Sequence, residues 1–271
     1  WSNDRKSSCT GGYLYRHSFS NNNFLMLTRA LKQAACRLFF FVIGTSVASA
    51  GSISVNPMRL TLSDSNQLGT VTLLNNGSNP IPMQLQIMSW SQSEGSDILT
   101  ATREILANPP IFNIPAGGSQ IIRLGLRRAS DAQRELTYRI ILQELPSPVK
   151  SDISGAQMLM RISMPVFVLP EVDAKAVLIW QADYTSKGTL KISAFNSGNA
   201  HIRISNFKLS LPGSSETLLK QEAGDYILAG QSKEWILSAN ADYASPPAGD
   251  TLQLLAQTNT GDIEAKVVIA P

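Results

Sequence analysis

Short runs of alternating apolar and polar residues follow one another along most of this chain. Eleven such runs lie between Gly51 and Pro271, at spacings near ten residues, and none has the period of a helix. Alternation with period two is typical of half-buried strands. Turn-forming dipeptides punctuate the runs at Asn76-Gly77, Ser197-Gly198 and Thr260-Gly261. The pattern predicts an all-β protein built from antiparallel sandwiches.

One run, from Gln157 to Pro170, has an unusual apolar face. Apolar residues occupy every second position at its start, namely Met158, Met160, Ile162 and Met164. Methionine is adaptable and is common on surfaces that accept several apolar partners, although an ordinary core strand rich in methionine is the alternative. Pro165 cannot donate to a sheet ladder, so it predicts an edge position or a change of sheet.

Residues 1–50 have the features of a leader. From Met26 a basic start precedes an apolar run and the small residues Ala48-Ser49-Ala50, which is the layout of a secretory signal peptide over 26–50. Residues 1–25 are interpreted as an upstream extension. The apolar run is too short to span a bilayer, so a membrane anchor is the weaker alternative and no span is expected in the mature chain.

Removing the leader changes the composition. It holds six of the 23 Lys and Arg residues and one of the 20 Asp and Glu residues, which leaves 17 basic and 19 acidic residues and a net charge of −2. Bulk charge therefore gives no reason to expect nucleic-acid binding. Both cysteines also lie in the leader. The remaining 221 residues suit two domains, predicted as 51–170 and 171–271.

The chemistry of most enzymes is missing from the mature sequence. It has one histidine, His201, and no cysteine, which excludes a cysteine nucleophile and nearly all zinc-site spacings. No phosphate-binding loop, dinucleotide-binding motif or GxSxG motif is present. We therefore expect no catalytic activity, no metal and no cofactor.

Three arginines stand out because each lies on an otherwise apolar run: Arg59, Arg139 and Arg161. A charge on a half-buried strand is costly unless it is paired or solvated, so each could simply point into water or onto a loop carboxylate. If the three runs are neighbours in one sheet, Arg59 and Arg139 could instead converge in the cleft between domains. Two guanidinium groups there would form a site for a carboxylate.

The stretch Arg134–Pro146, RELTYRIILQELP, resembles the signature of pilus chaperones of the chaperone–usher pathway, the PapD-like family. Ser54–Arg59, Ser119–Leu124 and the strand that ends at Pro170 are also similar to this family. The resemblance covers essentially all of the chain after the leader. Tyr138-Arg139 and the VFVLP ending are more similar to the archaic branch, which is associated with spore-coat-protein-U-like subunits.

The resemblance implies two immunoglobulin-like sandwiches in a boomerang arrangement and a periplasmic chaperone without enzymatic activity. Such a chaperone lends a strand to a pilus subunit that lacks its final strand, and it delivers the subunit to an outer-membrane usher for fimbria assembly. Carried over by position, the donor residues are Met158, Met160 and Ile162, with Ala156 and Met164 as further members of the row. The exposed edge of such a strand also predicts transient self-association.

In the family, an arginine of the first strand and a lysine of the donor strand anchor the subunit's C-terminal carboxylate. Arg59 matches the first, but Pro165 occupies the position of the lysine. Arg139 is the preferred substitute and Arg161 the second choice. The competing hypotheses are a secreted β-sandwich pilus subunit and a sugar-binding or hydrolytic sandwich. The second of these would need clustered exposed aromatics, whereas the tryptophans at 90, 180 and 235 are scattered in the sequence.

Overall fold

A computed structural model describes residues 53–146, 158–185, 189–214, 216–237 and 246–270. These residues contain no helix, so the all-β prediction is confirmed, and no described segment forms an apolar helix long enough to cross a membrane. The predicted leader over 1–50 and Ala156 lie outside the described residues. The strands are β1 (Ile53–Asn56), β2 (Leu60–Leu62), β3 (Leu68–Asn75), β4 (Ile81–Ser93), β5 (Ser96–Ala101), β6 (Ile105–Asn108), β7 (Ile111–Ile114), β8 (Ser119–Leu126), β9 (Leu136–Glu144), β10 (Arg161–Val168), β11 (Leu178–Tyr184), β12 (Leu190–Asn196), β13 (Ile202–Ser210), β14 (Thr217–Ile227), β15 (Ser232–Leu237), β16 (Thr251–Thr258) and β17 (Gly261–Val268).

The first ten strands form one sandwich. Sheet I has the order β1-β3-β8-β6, and sheet II has the order β2-β10-β9-β4-β5 with β7 also paired to β4. The first run of the sequence contributes to both sheets, because β1 pairs with β3 whereas β2 pairs with β10. Alternate residues of the two sheets bury a shared core that includes Leu73, Ile122, Ile140 and Val166. The apolar positions of the alternating runs therefore face the inside of this sandwich, and the polar positions face its outside.

The last seven strands form a second sandwich. Sheet III has the order β11-β12-β15 and sheet IV the order β14-β13-β16-β17. Trp235 and Phe207 lie in its core with ring centroids 5.1 Å apart, and Trp180 stacks on Trp235 at 6.0 Å. The tryptophans at 180 and 235 are thus packed together inside the fold. The two tryptophans are far apart in the sequence, so their contact was not predicted. The pair is not an exposed aromatic cluster of the kind that binds sugars.

Both sandwiches place a buried asparagine at the end of a strand. Asn75 ends β3 and Asn196 ends β12, and each side-chain oxygen accepts from the backbone N–H of the glycine two residues later, at 2.9 and 3.1 Å. Each side-chain amide donates to three backbone carbonyls. The acceptors are those of Asn79, Ile114 and Pro115 in the first sandwich and Ala200, Ile227 and Leu228 in the second. The Asn-x-Gly turns are therefore anchored from inside.

Gly198 is expected to tolerate no side chain. A Cβ atom at this position would lie 2.2 Å from the carbonyl oxygen of Lys175 and 2.8 Å from the nitrogen of Val177. We expect Gly198→Ala to lower the free energy of unfolding by about 1–3 kcal/mol, because backbone atoms must move to make room. Urea unfolding followed by tryptophan fluorescence measures the change. Gly125→Ala is the control, since its Cβ would meet only Leu68 Cδ2 at an ordinary 3.5 Å; equal losses for both variants would contradict the steric argument.

Strand β10 has one free edge over its first half. It pairs with β9 along its whole length, from Arg161 to Val168, but β2 covers only Val166–Val168 on the other side. Among the residues that the structure describes, no other strand pairs with this side of residues 161–165, so their backbone groups are available to an added strand. Pro165 is the last residue of this free edge, which agrees with the edge position that its missing N–H predicts.

Candidate functional site

One face of sheet II packs against the second sandwich. Pro165 of β10 lies opposite Arg139 of β9, which lies opposite Met88 of β4, so the three residues form one row across the sheet. In the next row, Trp90 and Phe167 bury themselves against Leu228 of the second sandwich. An aromatic and aliphatic cluster thus joins the two sandwiches beside the row that contains Arg139.

The Arg139 guanidinium lies over the Trp90 indole, 3.8 Å from the ring centroid, and 5.6 Å from the centroid of the Tyr226 ring. Its Nη2 is 3.4 Å from Asp97 Oδ2, and the side chain is only 14% exposed. Burial lowers the pKa of Arg139 from its usual value, and the charge of Asp97 opposes that effect. Arginine has five N–H donors, and Asp97 takes one of them through a long contact. The group is therefore oriented by an aromatic face, and Asp97 is its one hydrogen-bond acceptor among the residues that the structure describes.

Arg59 lies where the chain crosses from sheet I to sheet II. It is exposed, and it makes no hydrogen bond or ion pair with any other described residue. Because Leu60 pairs with Val166 in parallel register, Arg59 is level with Pro165 and therefore with the row in which Pro165 faces Arg139. Two strand spacings separate the backbones of the two arginines, about 10 Å. Long side chains can bridge that gap onto one small anion.

The expectation that the whole first strand neighbours β9 and β10 in one sheet is only half right. The segment β1 belongs to sheet I, and β2 alone lies beside β10. The one local feature at this split is Pro57, which follows β1. The crossing nevertheless leaves Arg59 on the sheet II side of the break.

Arg161 lies farther from this row. It is exposed at the start of β10, opposite Gln143, and it has no hydrogen-bond or ion-pair partner among the residues described. Four residues of strand separate it from Pro165, which corresponds to about 13 Å. Of the two candidates for a second anchor, Arg139 is closer to Arg59 across the sheet.

The apolar row of β10 and the residues before it shows a gradient of burial. Met158 is 92% exposed, Met160 and Ile162 are partly buried, and Met164 is fully buried in the core of the first sandwich. The prediction that Met164 belongs to an available row is wrong for this conformation, because sheet I covers that part of β10. The backbone of Met160 still bonds to Glu144 beside it. The part of the row that is not fully buried therefore comprises Met158, Met160 and Ile162, of which Ile162 packs against the core of the first sandwich.

A buried hydrogen-bonded pair crosses the junction beside this site. Glu135, whose side chain is 1% exposed, accepts from the backbone N–H of His201 at 2.9 Å and lies 2.7 Å from His201 Nδ1. The His201 ring stacks on Phe167 with centroids 3.5 Å apart. Sequence reasoning assigned His201 no such partner. The only available signal was that both residues adjoin recognisable motifs, the RELTYR stretch and the Asn-x-Gly turn.

The arrangement suits binding of an anion and an extended apolar segment. Arg59 and Arg139 can both offer N–H donors to one carboxylate. The free edge of residues 161–165 can pair with an added strand. The apolar side chains lie at every second position of the same segment, so they all face one side of it. Within the described ranges, no group of three or more His, Cys, Asp or Glu side chains is arranged to hold a metal ion.

Residues 52–172 match the family model for the pili and flagellar-assembly chaperone, PapD N-terminal domain. The first sandwich therefore belongs to the N-terminal domain family of PapD-like pilus chaperones. A search of curated protein sequences finds no match. The family match spans the whole of the first sandwich, including the RELTYR stretch and the strand that ends at Pro170.

Solved structures resemble this chain over most of its length. A chain of the CsuC–CsuE chaperone–tip adhesion subunit pre-assembly complex, from archaic Csu pili of Acinetobacter baumannii, is 20% identical with a TM-score of 0.60 and covers 82% of this chain and 100% of its own. The E. coli chaperone DraB is 18% identical with a TM-score of 0.52, covering 79% and 98%. A chain of the Salmonella enterica SafA pilin–SafB chaperone complex is 13% identical with a TM-score of 0.54, covering 80% and 96%.

At these identities the likeness establishes the fold, which is two immunoglobulin-like sandwiches. It therefore confirms the fold class expected for a pilus chaperone. The roles of Arg59, Arg139 and the apolar row depend on the geometry described above and not on these similarities.

Proposed function

We propose that this pilus chaperone acts in the periplasm, where it binds a pilus subunit with an incomplete immunoglobulin-like fold, and that it delivers the subunit to an outer-membrane usher. The observation that carries the proposal is the edge of residues 161–165, which no described strand covers, next to a partly exposed apolar row and two arginines. The likeness to a chain from an archaic pilus system supports membership of that branch. A role as a structural or adhesive pilus subunit is the alternative.

The donor residues in this proposal are Met158, Met160 and Ile162, with Ala156 continuing the row. Burying each of the three described side chains in a subunit groove contributes about 1.5–3 kcal/mol at most. Backbone pairing along the free edge supplies the rest of the affinity and fixes the direction of the added strand. Met164 stays in the chaperone's own core. A donor row of three side chains holds a subunit, and a longer strand that fills more of the subunit's groove can still displace it.

The subunit's C-terminal carboxylate is anchored, in this proposal, by Arg59 and Arg139 together. Arg59 supplies an unpaired exposed cation, and Arg139 supplies a cation oriented by Trp90. A charge-assisted contact of this kind contributes about 1.5–3 kcal/mol. Arg161 is the second choice for the second anchor, because it lies farther along β10.

The remaining parts of the proposal follow from the sequence. Residues 1–50 serve as a leader with a signal peptide over 26–50, and the domains run from 51 to 170 and from 171 to 271. The unprotected edge of β10 supports transient self-association of the free chaperone. Binding of a subunit at that edge would prevent this association.

Co-expression with the subunit encoded beside this gene tests the proposal. We expect the wild type to retain soluble subunit in a pull-down from the periplasm. Met160→Glu is expected to lose at least about tenfold of the retained subunit, because a charge enters an apolar groove. Arg59→Ala and Arg139→Ala are each expected to lose about tenfold, since a charged hydrogen bond is removed.

The control is Arg123→Ala, which removes an exposed arginine from β8 in sheet I, the other sheet of the first sandwich. It is expected to retain the subunit as the wild type does. If all variants including Met160→Glu behave alike, the cleft is not the binding site. The pilus-subunit alternative would then be preferred.

A further inference from the structure

We propose that Asp97 is a resident carboxylate that occupies Arg139 in the free chaperone and is displaced when the subunit's C-terminal carboxylate binds. The inference rests on the proposed function, because it concerns the same anchor. In this proposal Asp97 competes with the subunit for Arg139. The affinity of Arg139 for the subunit's carboxylate is therefore set in part by a residue that the subunit does not contact.

Asp97 is held between the two sandwiches. Its Oδ2 faces Arg139 Nη2 at 3.4 Å, and its Oδ1 accepts from Gln92 Nε2 at 2.9 Å. Gln92 in turn donates to the carbonyl of Tyr226 at 2.9 Å and accepts from the N–H of Leu228 at 3.0 Å. The carboxylate is therefore positioned from the second sandwich through Gln92. Its contact with Arg139 is the longer of its two hydrogen bonds.

The cavity beside Arg139 is balanced in charge without a ligand. It has a volume of about 380 Å³ and is lined by Arg139, Asp97, Asp225 and Lys233 among others. Lys233 Nζ lies 3.4 Å from Asp225 Oδ1, so each cation of the cavity faces one carboxylate. An incoming carboxylate must therefore either remain an excess negative charge or replace one that is already there. Arg59, an exposed cation without a described partner, lies two strands from Arg139 and is not part of this lining.

Exchange at Arg139 is geometrically simple. Trp90 holds the guanidinium from its face, so the in-plane N–H donors keep their directions whichever carboxylate accepts them. The Asp97 side chain is 45% exposed and can turn into water after it is displaced, so it pays little desolvation in the bound state. Asp225 is a poorer competitor for Arg139, because it accepts from Trp235 Nε1 at 3.0 Å. Asp97 is thus the carboxylate whose displacement costs least.

The test uses a synthetic peptide that reproduces the C-terminal strand of the subunit encoded beside this gene. The peptide is made with a free carboxylate and as the C-terminal amide, and its Kd is measured by fluorescence anisotropy. We expect Asp97→Asn to bind the acid about three- to tenfold more tightly than the wild type does, while the amide binds both equally. Asparagine keeps an oxygen that accepts from Gln92. Asp183→Asn is the control, because Asp183 pairs with Lys191 away from the cavity.

Two results overturn the inference and are distinguishable from failure of the proposed function. If the wild type prefers the acid and Arg139→Ala removes that preference, the anchor stands. If Asp97→Asn then binds the acid as the wild type does, Asp97 does not compete for Arg139. If it binds the acid more weakly, Asp97 positions Arg139 for binding. If the wild type binds acid and amide equally, the carboxylate anchor itself is wrong, and the inference is wrong with it. Equal thermal unfolding temperatures confirm that the variants are folded.

Discussion

Glu135→Ala is expected to lower the free energy of unfolding by about 3–5 kcal/mol. The carboxylate is almost fully buried, and it accepts from both the backbone N–H and the ring Nδ1 of His201. Alanine leaves both groups without an acceptor at the junction, and each orphaned buried group costs about 1–3 kcal/mol. Urea denaturation followed by circular dichroism and by tryptophan fluorescence measures the loss.

The junction pair has a graded control. Glu135→Gln keeps an oxygen for one of the two N–H groups and is expected to fall between the wild type and Glu135→Ala. Glu264→Ala removes an exposed glutamate from β17 and is expected to change the free energy of unfolding by less than about 0.5 kcal/mol. A loss below about 1 kcal/mol for Glu135→Ala would show that His201 finds another acceptor or that water enters the junction.

Asn196→Ala is expected to destabilise the second sandwich by about 3 kcal/mol. The substitution removes the amide that donates to three backbone carbonyls, and it removes the oxygen that accepts from the N–H groups of Gly198 and Val177. Buried backbone groups without partners cost about 1–3 kcal/mol each, partly recovered where the turn opens to water. Urea unfolding reports the loss through Trp180 and Trp235, which lie in that sandwich.

Asn75→Ala supplies a matched comparison in the first sandwich, because Asn75 makes the same kind of contacts there. We expect a loss of similar size in the transition of that sandwich. Surface Asn206→Ala, which removes an exposed contact with Gln257, is expected to change little. If Asn196→Ala resembles Asn206→Ala, the buried asparagines do not anchor the turns.

The sequence was sufficient for the class of fold because its dominant signal is local. Alternation along each run reports which residues face inward, and that holds whichever strand becomes the neighbour. The same parity predicted that Arg139 points away from the core, since Tyr138 and Ile140 beside it are buried. Register and strand order are not local, so the split of the first run between two sheets could not be read from it.

The parts of the site that were missed all depend on long-range pairing. Met164 has the same parity as Ile162, but its burial depends on how far sheet I extends over β10. Asp97 meets Arg139 from a hairpin 42 residues earlier, and Glu135 meets His201 across 66 residues. In each case the residue type was compatible with an ordinary surface position. Only the fold brings these partners together.

The continuity of β10 couples the chaperone's own core to the spacing of its exposed residues. Val166 and Val168 are locked between β2 and β9, and nothing interrupts the strand between them and Ile162. Successive side chains of a strand point to opposite faces. Loss or gain of one residue between Val166 and Met160 would therefore move Arg161 and Ser163 onto the face that the apolar row now occupies. Exchange of one apolar residue for another therefore keeps the proposed binding row intact, whereas a change in the length of this segment does not.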